Sequence, residues 1–146
     1  MESSEGRHRR KAVKVGVVIG GGPPPGYQWN GKVLDCAHAE SLSLFTEVQR
    51  DHLNEQFREA CREVEPTTCA TLDIRPIGGF YELRDKGGVL GNNNARVFFF
   101  LDKAARTIVV IGAIKKQNNG KTPNWEVVRM RRRMRLYPQQ QTIGSG

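Results

Sequence analysis

The sequence has few residues of the kinds that bind metals or build disulfide frameworks. Its 146 residues include three cysteines, an odd number without a CxxC pair, and three histidines. A structural zinc site needs about four such ligands at characteristic spacings, and a secreted disulfide scaffold needs an even set of cysteines. We therefore expect reduced thiols, no metal site, no cofactor and a cytoplasmic location.

Long apolar runs are also missing. No stretch approaches the ~20 apolar residues that span a bilayer, so we expect no membrane partner. The N-terminus is basic and then briefly apolar, but glycine and proline interrupt the apolar part at residues 20–26. No small-residue cleavage site is evident there, and we therefore expect no secretory signal.

Acidic residues are scarce in the C-terminal part of the chain, where basic residues are abundant. Residues 103–137 contain ten Lys or Arg and one acid, Glu126, whereas residues 35–85 contain eleven acids and five bases. The formal net charge is +8. Such asymmetry is typical of a surface that faces a polyanion, and we favour nucleic acid or the ribosome as its partner. The alternative is a charge pattern that serves only solubility.

The chain is interpreted as one domain between two extensions. Residues 1–26 form a basic, Gly- and Pro-rich extension that is a candidate for disorder. Within it, residues 12–19 are compatible with an added edge strand. Residues 27–137 have the periodic patterns of a folded domain, and residues 138–146 are expected to form a flexible tail.

A long amphipathic helix is predicted over residues 40–65, because apolar residues recur there at intervals of three and four. Ser41 or Ser43 is the candidate N-cap, and Pro66 is expected to stop the helix. A break near residues 42–46 would turn it into a helical hairpin. We interpret the apolar stripe as core.

Strands and a second helix complete the domain. The predicted strands are residues 27–35, 80–84, 95–101 and 107–114. The last three form an antiparallel meander, and the final basic helix begins after Thr122, a candidate N-cap, and Pro123. The predicted fold class is therefore α+β. An N-terminal strand and a helix or helical hairpin pack on an antiparallel sheet of three to four strands, with a basic C-terminal helix.

Three motifs in this order carry a family resemblance. They are GGFYELR (78–84), ARVFFFL (95–101) and IGAIKKQNNGKTPNWEVVRMRRR (111–133). Together they resemble the RelE/HigB-like toxin superfamily, in its phage-derived branch, over about residues 27–137. The loop between Lys116 and Lys121 is about two residues longer than usual, and residues 1–26 have no counterpart.

The resemblance implies a RelE/ParE-like fold and a function. The protein would be the toxin of a type II toxin–antitoxin pair, a ribosome-dependent endoribonuclease that cuts mRNA in the ribosomal A site. Its partners would be mRNA, the ribosome and a cognate antitoxin, which we expect to be a helix-turn-helix protein. A non-catalytic or decayed member of the same fold, which binds gyrase or nucleic acid, is the alternative.

RNA cleavage without a metal requires removal of the 2′-hydroxyl proton, an aligned phosphate and stabilisation of the developing negative charge. A histidine pair usually does this, but His38 and His52 lie in the acidic part of the chain. The resemblance implies clustered Lys, Arg and sometimes Tyr instead. The candidate catalytic residues are Arg84, Arg96, Lys115, Lys116 and Tyr137.

The basic residues suggest different roles. Arg96 is the better candidate for binding phosphate, because a guanidinium contacts two oxygens. Lys115 and Lys116 point to opposite faces of a strand, and family position favours Lys116 as the general base. A lysine crowded by arginines releases its proton more readily. Arg84 has a plainer interpretation, an ion pair with a neighbouring acid on an exposed strand.

The last helix is expected to contact RNA. The candidate RNA-binding residues are Lys121, Trp125, Arg129, Arg131, Arg132 and Arg133. Trp125 would either stack on a base or anchor the helix in the core. The arginines would contact ribosomal RNA or, in the alternative interpretation, only solvent.

Overall fold

A computed structural model describes residues 13–14 and 23–145, with side chains placed for residues 23–137. The rest of the predicted N-terminal extension lies outside the described residues. The elements in chain order are β1 (Val13–Lys14), β2 (Asn30–Val33), α1 (Asp35–Leu44), α2 (Glu47–Cys61), β3 (Asp73–Ile77), β4 (Phe80–Asp85), β5 (Asn94–Asp102), β6 (Thr107–Lys116) and α3 (Asn124–Ser145).

The strands form one mixed sheet in the order β1-β2-β6-β5-β4-β3. Strand β2 runs parallel to β6, and every other pair is antiparallel. The predicted α+β class and the antiparallel meander are confirmed. Strand β3 was not predicted, because a charged and proline-containing sequence, Asp73–Ile77, lies at the sheet edge with little burial.

The predicted helical hairpin is confirmed, but its capping residue was predicted wrongly. The helices α1 and α2 are separated at Phe45 and Thr46. The Thr46 hydroxyl accepts a hydrogen bond from Gln49 N, and the Gln49 side chain accepts one from Thr46 N, which makes a capping box. Ser41 and Ser43 lie inside α1 and cap neither helix.

Helices cover both faces of the sheet. On one face, Leu53 and Phe57 of α2 pack against buried residues of β4, β5 and β6, and the Phe57 and Phe99 rings meet edge to face at 5.3 Å. On the other face, Met130 of α3 is fully buried against Phe98 and its neighbours. The sheet is therefore the middle of three layers, which explains why β5 and β6 are apolar on both faces.

A β-bulge interrupts the alternation of β6. Phe98 is opposite Gly112 and Phe99 is opposite Val110, so Ile111 is an extra residue without a partner on β5. Ile111 and Gly112 consequently both face α3, and a Cβ at position 112 would overlap the Met130 side chain.

Helix α3 begins at Asn124 and continues to Ser145. Residues 138–145, where a flexible tail was predicted, therefore have helical backbone. Along the described stretches 13–14 and 23–145, no helix is both long enough and apolar enough to cross a membrane.

Candidate functional site

Three basic residues from neighbouring strands lie on one face of the sheet. Arg84 of β4 is opposite Arg96 of β5, and Asn94 of β5 is opposite Lys116 of β6. Directly opposed residues of antiparallel strands point to the same face, and so do residues two apart on one strand. Arg84, Arg96 and Lys116 therefore share the face that α3 covers, near the end of the sheet where α3 begins.

The bulge decides which of the two adjacent lysines joins this face. Strict alternation from Val109, which faces α3, would place Lys115 on the α3 face. The extra residue Ile111 shifts the alternation by one, so Lys116 takes that position instead. Lys115 is exposed and lies opposite Ala95, which belongs to the core under α2.

Glu82 and Thr122 connect the two arginines beneath the start of α3. The buried Glu82 carboxylate accepts hydrogen bonds from Arg84 Nε and from Thr122 Oγ1, both at 2.5 Å. The Thr122 hydroxyl accepts one from Arg96 Nη1 at 3.2 Å. Thr122 was the predicted N-cap of α3, and its side chain is bound to these buried charged groups. This buried chain of hydrogen bonds fixes both guanidinium groups.

The loop of residues 117–121 lies over the same arginines. The Asn118 carbonyl accepts hydrogen bonds from Arg96 Nη2 at 3.3 Å and from Asn94 Nδ2 at 2.8 Å. The Asn119 carbonyl accepts one from Arg84 Nη1 at 3.4 Å. These carbonyl oxygens occupy guanidinium donors that a phosphate would otherwise contact.

Arg96 is completely buried, with 0% of its surface exposed. Its burial lowers its pKa, and the Arg84 guanidinium opposite it lowers that pKa further. Its Nε has no hydrogen-bond partner among the described residues. Arg96 therefore orients Thr122 and the 117–121 loop from inside the protein. Arg84, by contrast, keeps 13% of its side chain exposed and reaches the surface.

Two open clefts flank Arg84. The first, here named the α3 cleft, has a volume of about 340 Å³ and is lined by Arg75, Arg84, Lys121 and the first turn of α3. The second, named the loop cleft, has a volume of about 400 Å³ and lies between Arg75, Lys86 and the 117–121 loop. Both clefts share Arg84, so an extended anion could contact it from either side. The loop cleft is also lined by the Asp73 and Asp85 carboxylates, and Asp73 pairs with Arg75.

Arg75 was not predicted as a site residue, because strand β3 was not predicted. Arg75 is opposite Glu82 in the sheet and pairs with Asp73 at 2.9 Å, with about half of its side chain exposed. A signal was present, since Gly78-Gly79 directly precedes β4, and a two-residue glycine turn commonly joins the strands of a hairpin. The isoleucines before that turn supply the partner strand.

Two of the predicted RNA-binding arginines bind an acid of α1 instead of projecting into solvent. Arg129 Nη1 and Arg133 Nη2 donate to Glu40 Oε2 at 2.6 Å and 2.7 Å. Arg131 donates to the Gly78 carbonyl at 3.3 Å, and Arg132 is exposed. The arginines of α3 therefore have separate surroundings and do not form one continuous surface.

Glu40 and its partner Arg133 also form hydrogen bonds with the backbone of β6 at the bulge. Glu40 Oε1 accepts from Ala113 N at 3.0 Å, and Arg133 donates to the Ile111 carbonyl at 2.7 Å. Burial alone would raise the pKa of Glu40, but hydrogen bonds from Arg133, Arg129 and Ala113 N outweigh it and leave the pKa below 4.5. Glu40 thus ties α1, β6 and α3 together.

Tyr137 lies away from the Arg84–Arg96 pair. It is thirteen residues into α3, which is roughly 20 Å along a helix from Asn124. Its ring packs against Phe100 at 5.3 Å, and its hydroxyl accepts a hydrogen bond from Lys32 at 3.3 Å. Burial raises the pKa of Tyr137, and the nearby Asp102 carboxylate raises it further.

Trp125 and Lys121 are exposed near the start of α3. Lys121 lines the α3 cleft. Trp125 is 63% exposed, and the Arg129 guanidinium lies 5.9 Å from its ring centre. Of the two roles considered for Trp125, the structure thus excludes a core anchor and leaves the ring available for stacking.

None of the three cysteines lines either of the two clefts beside Arg84. Cys36, Cys61 and Cys69 are free thiols, and burial raises the pKa of the Cys61 thiol to about 12. Across the part of the chain that the structure describes, no three His, Cys, Asp or Glu side chains are grouped as metal ligands.

Comparison with known proteins identifies the family. The sequence model of the family described as Phage derived protein Gp49-like (DUF891) matches residues 37–135. The chain belongs to this Gp49-like family. Members of the family are usually toxins of toxin–antitoxin pairs. No curated protein and no solved structure gives a significant match.

The segment matched by the Gp49-like family runs from α1 into α3. It contains Arg84, Arg96, Lys116 and the two clefts, as well as Glu40 with its arginine partners. Strand β2 and Tyr137 lie outside it. The charged site of this Gp49-like protein therefore lies entirely within the family domain.

Proposed function

We propose that this Gp49-like protein is the toxin of a type II toxin–antitoxin pair and acts in the cytoplasm as a ribosome-dependent endoribonuclease of the RelE/HigB-like kind. Its target would be mRNA in the ribosome, and a cognate helix-turn-helix antitoxin would neutralise it. One observation carries the proposal. Arg84 and Lys116, from different strands, share a face of the sheet with the buried Arg96 between them, and two open clefts flank Arg84.

Arg84 is the proposed phosphate-binding residue. Its Nε is bound to Glu82, so the guanidinium is held in one orientation in a side chain that lines both clefts. A guanidinium fixed in this way can stabilise the charge that develops on a phosphorane without reorganising. Lys121 adds positive charge in the α3 cleft, whereas the charge of Arg75 is balanced by its ion pair with Asp73.

Lys116 is the proposed general base. In the neutral form it would take the proton from a ribose 2′-hydroxyl, whose oxygen then attacks the adjacent phosphorus. The bond from phosphorus to the 5′-oxygen breaks, and that oxygen takes a proton from solvent. The products would be a 2′,3′-cyclic phosphate and a 5′-hydroxyl. Cations supply the charge stabilisation that a metal ion supplies in other nucleases.

RNA on either side of the cut would lie along the clefts. Exposed Trp125 provides a ring on which a base can stack, and Lys121 and Arg132 provide charges for neighbouring phosphates. Arg96 would act by positioning Thr122 and the 117–121 loop. Binding of phosphate to more than one nitrogen of Arg84 requires the Asn119 carbonyl to move away from it.

A second candidate function is a binding protein without nuclease activity, directed at gyrase or at nucleic acid. The position of the 117–121 loop favours it, because carbonyl oxygens already accept from both arginines. If that loop stays in this position, the Asn119 carbonyl continues to occupy one nitrogen of Arg84. A phosphate would then contact fewer donors, and stabilisation of the transition state would be weak.

Induction in a bacterial host, followed by primer extension on a translated mRNA, tests the proposal. We expect growth arrest and cuts in phase with codons. Lys116→Ala should abolish the cuts, whereas Lys115→Ala should leave them unchanged. These neighbours carry the same charge on opposite faces of β6, so they form a matched pair.

Other outcomes distinguish the candidates. Growth arrest without RNA cuts would favour gyrase or another target, and no arrest would favour a decayed member of the family. Equal loss of cleavage in both lysine variants would contradict the assignment of Lys116 as the base. A catalytically inactive wild-type protein that still binds RNA would support the binding function.

A further inference from the structure

The outer face of α3 has exposed apolar side chains. Trp125, Val128 and Leu136 are 63%, 51% and 40% exposed. On a helix of 3.6 residues per turn, residues 125, 128, 132 and 136 follow one line, so exposed Arg132 falls between the apolar residues. Apolar residues in a row on a surface helix are typical of a protein contact.

A groove continues this face. It has a volume of about 450 Å³, lies between α1 and the start of α3, and has Ala113 and Ile114 at its base. Leu44 forms part of its wall, and Lys115 and Arg129 contribute positive charge. Because Arg129 also lies near the Trp125 ring, the groove and the helix face form one surface, here named the α3 outer surface.

Positive charge surrounds this surface. Arg132 and Arg135 are exposed beside Val128 and Leu136, and Lys115 lies at the groove. The two carboxylates close to it are already bound: Glu40 to Arg129 and Arg133, and Glu126 to Arg129. A ligand of this surface would therefore need apolar side chains together with carboxylates.

We infer that the α3 outer surface docks an acidic amphipathic helix of a partner protein. Leucine-like side chains of that helix would lie along Val128 and Leu136, with one entering the groove beside Leu44. Its carboxylates would pair with Arg132, Arg135 and Lys115. This is the helix-in-groove mode of recognition, in which apolar anchors recur at helical spacing. The inference does not depend on RNA cleavage.

The part of this surface around Val128 and Leu136 is a poorer match to RNA than Trp125 and Arg132, which the proposed function assigns to RNA. Val128 and Leu136 have no groups that bind phosphate or the edges of bases, and two neighbouring arginines are already bound to Glu40. A second copy of this chain that packs through the same surface is also a poor match, because both surfaces have the same positive charge.

A designed peptide tests the inference with the full chain. The probe is a fluorescein-labelled 21-residue helix with leucine at the a and d positions of its heptads and glutamate at most others. A matched probe has lysine in place of glutamate. Fluorescence anisotropy at physiological salt should show binding of the glutamate peptide and at least about tenfold weaker binding of the lysine peptide.

Two double variants with equal charge change locate the contact. Val128→Glu with Leu136→Glu should weaken glutamate-peptide binding about tenfold or more. Val48→Glu with Val64→Glu, at positions 62% and 66% exposed elsewhere on the surface, should weaken it much less. Circular dichroism checks that both double variants are folded. We expect them to be folded, because all four substituted positions are exposed.

Four results would overturn the inference. Equal weakening in both double variants would mean that net charge alone attracts the peptide. Unchanged binding in the Val128/Leu136 variant would place the contact elsewhere. A 20-nucleotide single-stranded RNA could displace the peptide, and the Val128/Leu136 variant could lose RNA binding as strongly as it loses peptide binding. These two results together would identify an RNA surface. If wild type self-associates in sedimentation and the Val128/Leu136 variant does not, the ligand of this surface would be a second copy of the chain.

Discussion

Arg84 and Arg96 are directly opposite each other on β4 and β5, yet one reaches the surface and the other does not. Arg84 keeps 13% of its side chain exposed, whereas Arg96 is completely buried. Both are joined through Glu82 and Thr122. In the proposed function, Arg84 contacts the phosphate and Arg96 supports that contact.

We expect lysine substitutions to separate these tasks. Arg84→Lys keeps the charge beside Glu82 but loses the planar guanidinium, so cleavage should fall about 10²-fold or more, as when one charge-stabilising donor is removed. Lysine can keep an ion pair with buried Glu82 but loses the hydrogen bond to the Asn119 carbonyl, so the unfolding free energy should fall by about 1 kcal/mol.

Arg96→Lys should behave in the opposite way. A lysine cannot donate to both Thr122 Oγ1 and the Asn118 carbonyl as the two Nη atoms do, so the unfolding free energy should fall by about 1–3 kcal/mol. Urea unfolding measures the stability of both variants, and primer extension measures their cleavage, so together they test both predictions. Equal effects of the two substitutions on both measurements would contradict the separation.

Tyr137→Phe should leave cleavage within about threefold of wild type, instead of the 10²–10⁴-fold loss expected for a general acid or base. The reason is the distance of Tyr137 from the Arg84–Arg96 pair, and the raised pKa of Tyr137 also disfavours the phenolate that a general base needs. Loss of the hydrogen bond from Lys32 should lower the unfolding free energy by about 1 kcal/mol. A large loss of cleavage in a folded Tyr137→Phe protein would restore Tyr137 as a catalytic candidate.

Gly112→Ala should destabilise the protein by about 1–3 kcal/mol, because the new methyl group would overlap the fully buried Met130 side chain. Urea unfolding measures the loss. If the overlap is the cause, adding Met130→Val should recover part of the stability lost in Gly112→Ala, although Met130→Val alone is destabilising. Strictly additive losses in the double variant would show that Met130 is not what opposes the methyl group.

Removal of the Glu40 charge should lower stability in a pH-dependent way. The folded pKa of Glu40 lies below its ordinary value of 4.5, so its contribution is present above that pH and is lost as pH falls through the folded pKa. Glu40→Gln should therefore be about 1–3 kcal/mol less stable than wild type near pH 7.

Urea unfolding at several pH values between 7 and 3 checks this prediction. The difference between wild type and Glu40→Gln should narrow below pH 4.5, while the many other carboxyl groups affect both proteins alike. A difference that stays constant over this range would mean that the ionised carboxylate is not what stabilises the junction.

Much of the fold could be predicted because its signals are local. The strands β5 and β6 are apolar on both faces, and the short turn between them predicts the hairpin. The break between α1 and α2 was predicted near the right residues. Strand β3 was not, since Asp73, Arg75 and Pro76 mask the strand pattern at a sheet edge, where burial imposes little on the sequence.

The sequence by itself determined that basic residues follow one another on adjacent strands and along α3, because residue type and local periodicity are written in the chain. Tertiary structure decided which of them meet. A single extra residue, Ile111, moves Lys116 and not Lys115 to the face of Arg84. Glu40, 89 residues from Arg129 in the chain, binds it, and burial takes Arg96 from the surface. Such outcomes depend on packing between distant segments, which local periodicity does not record.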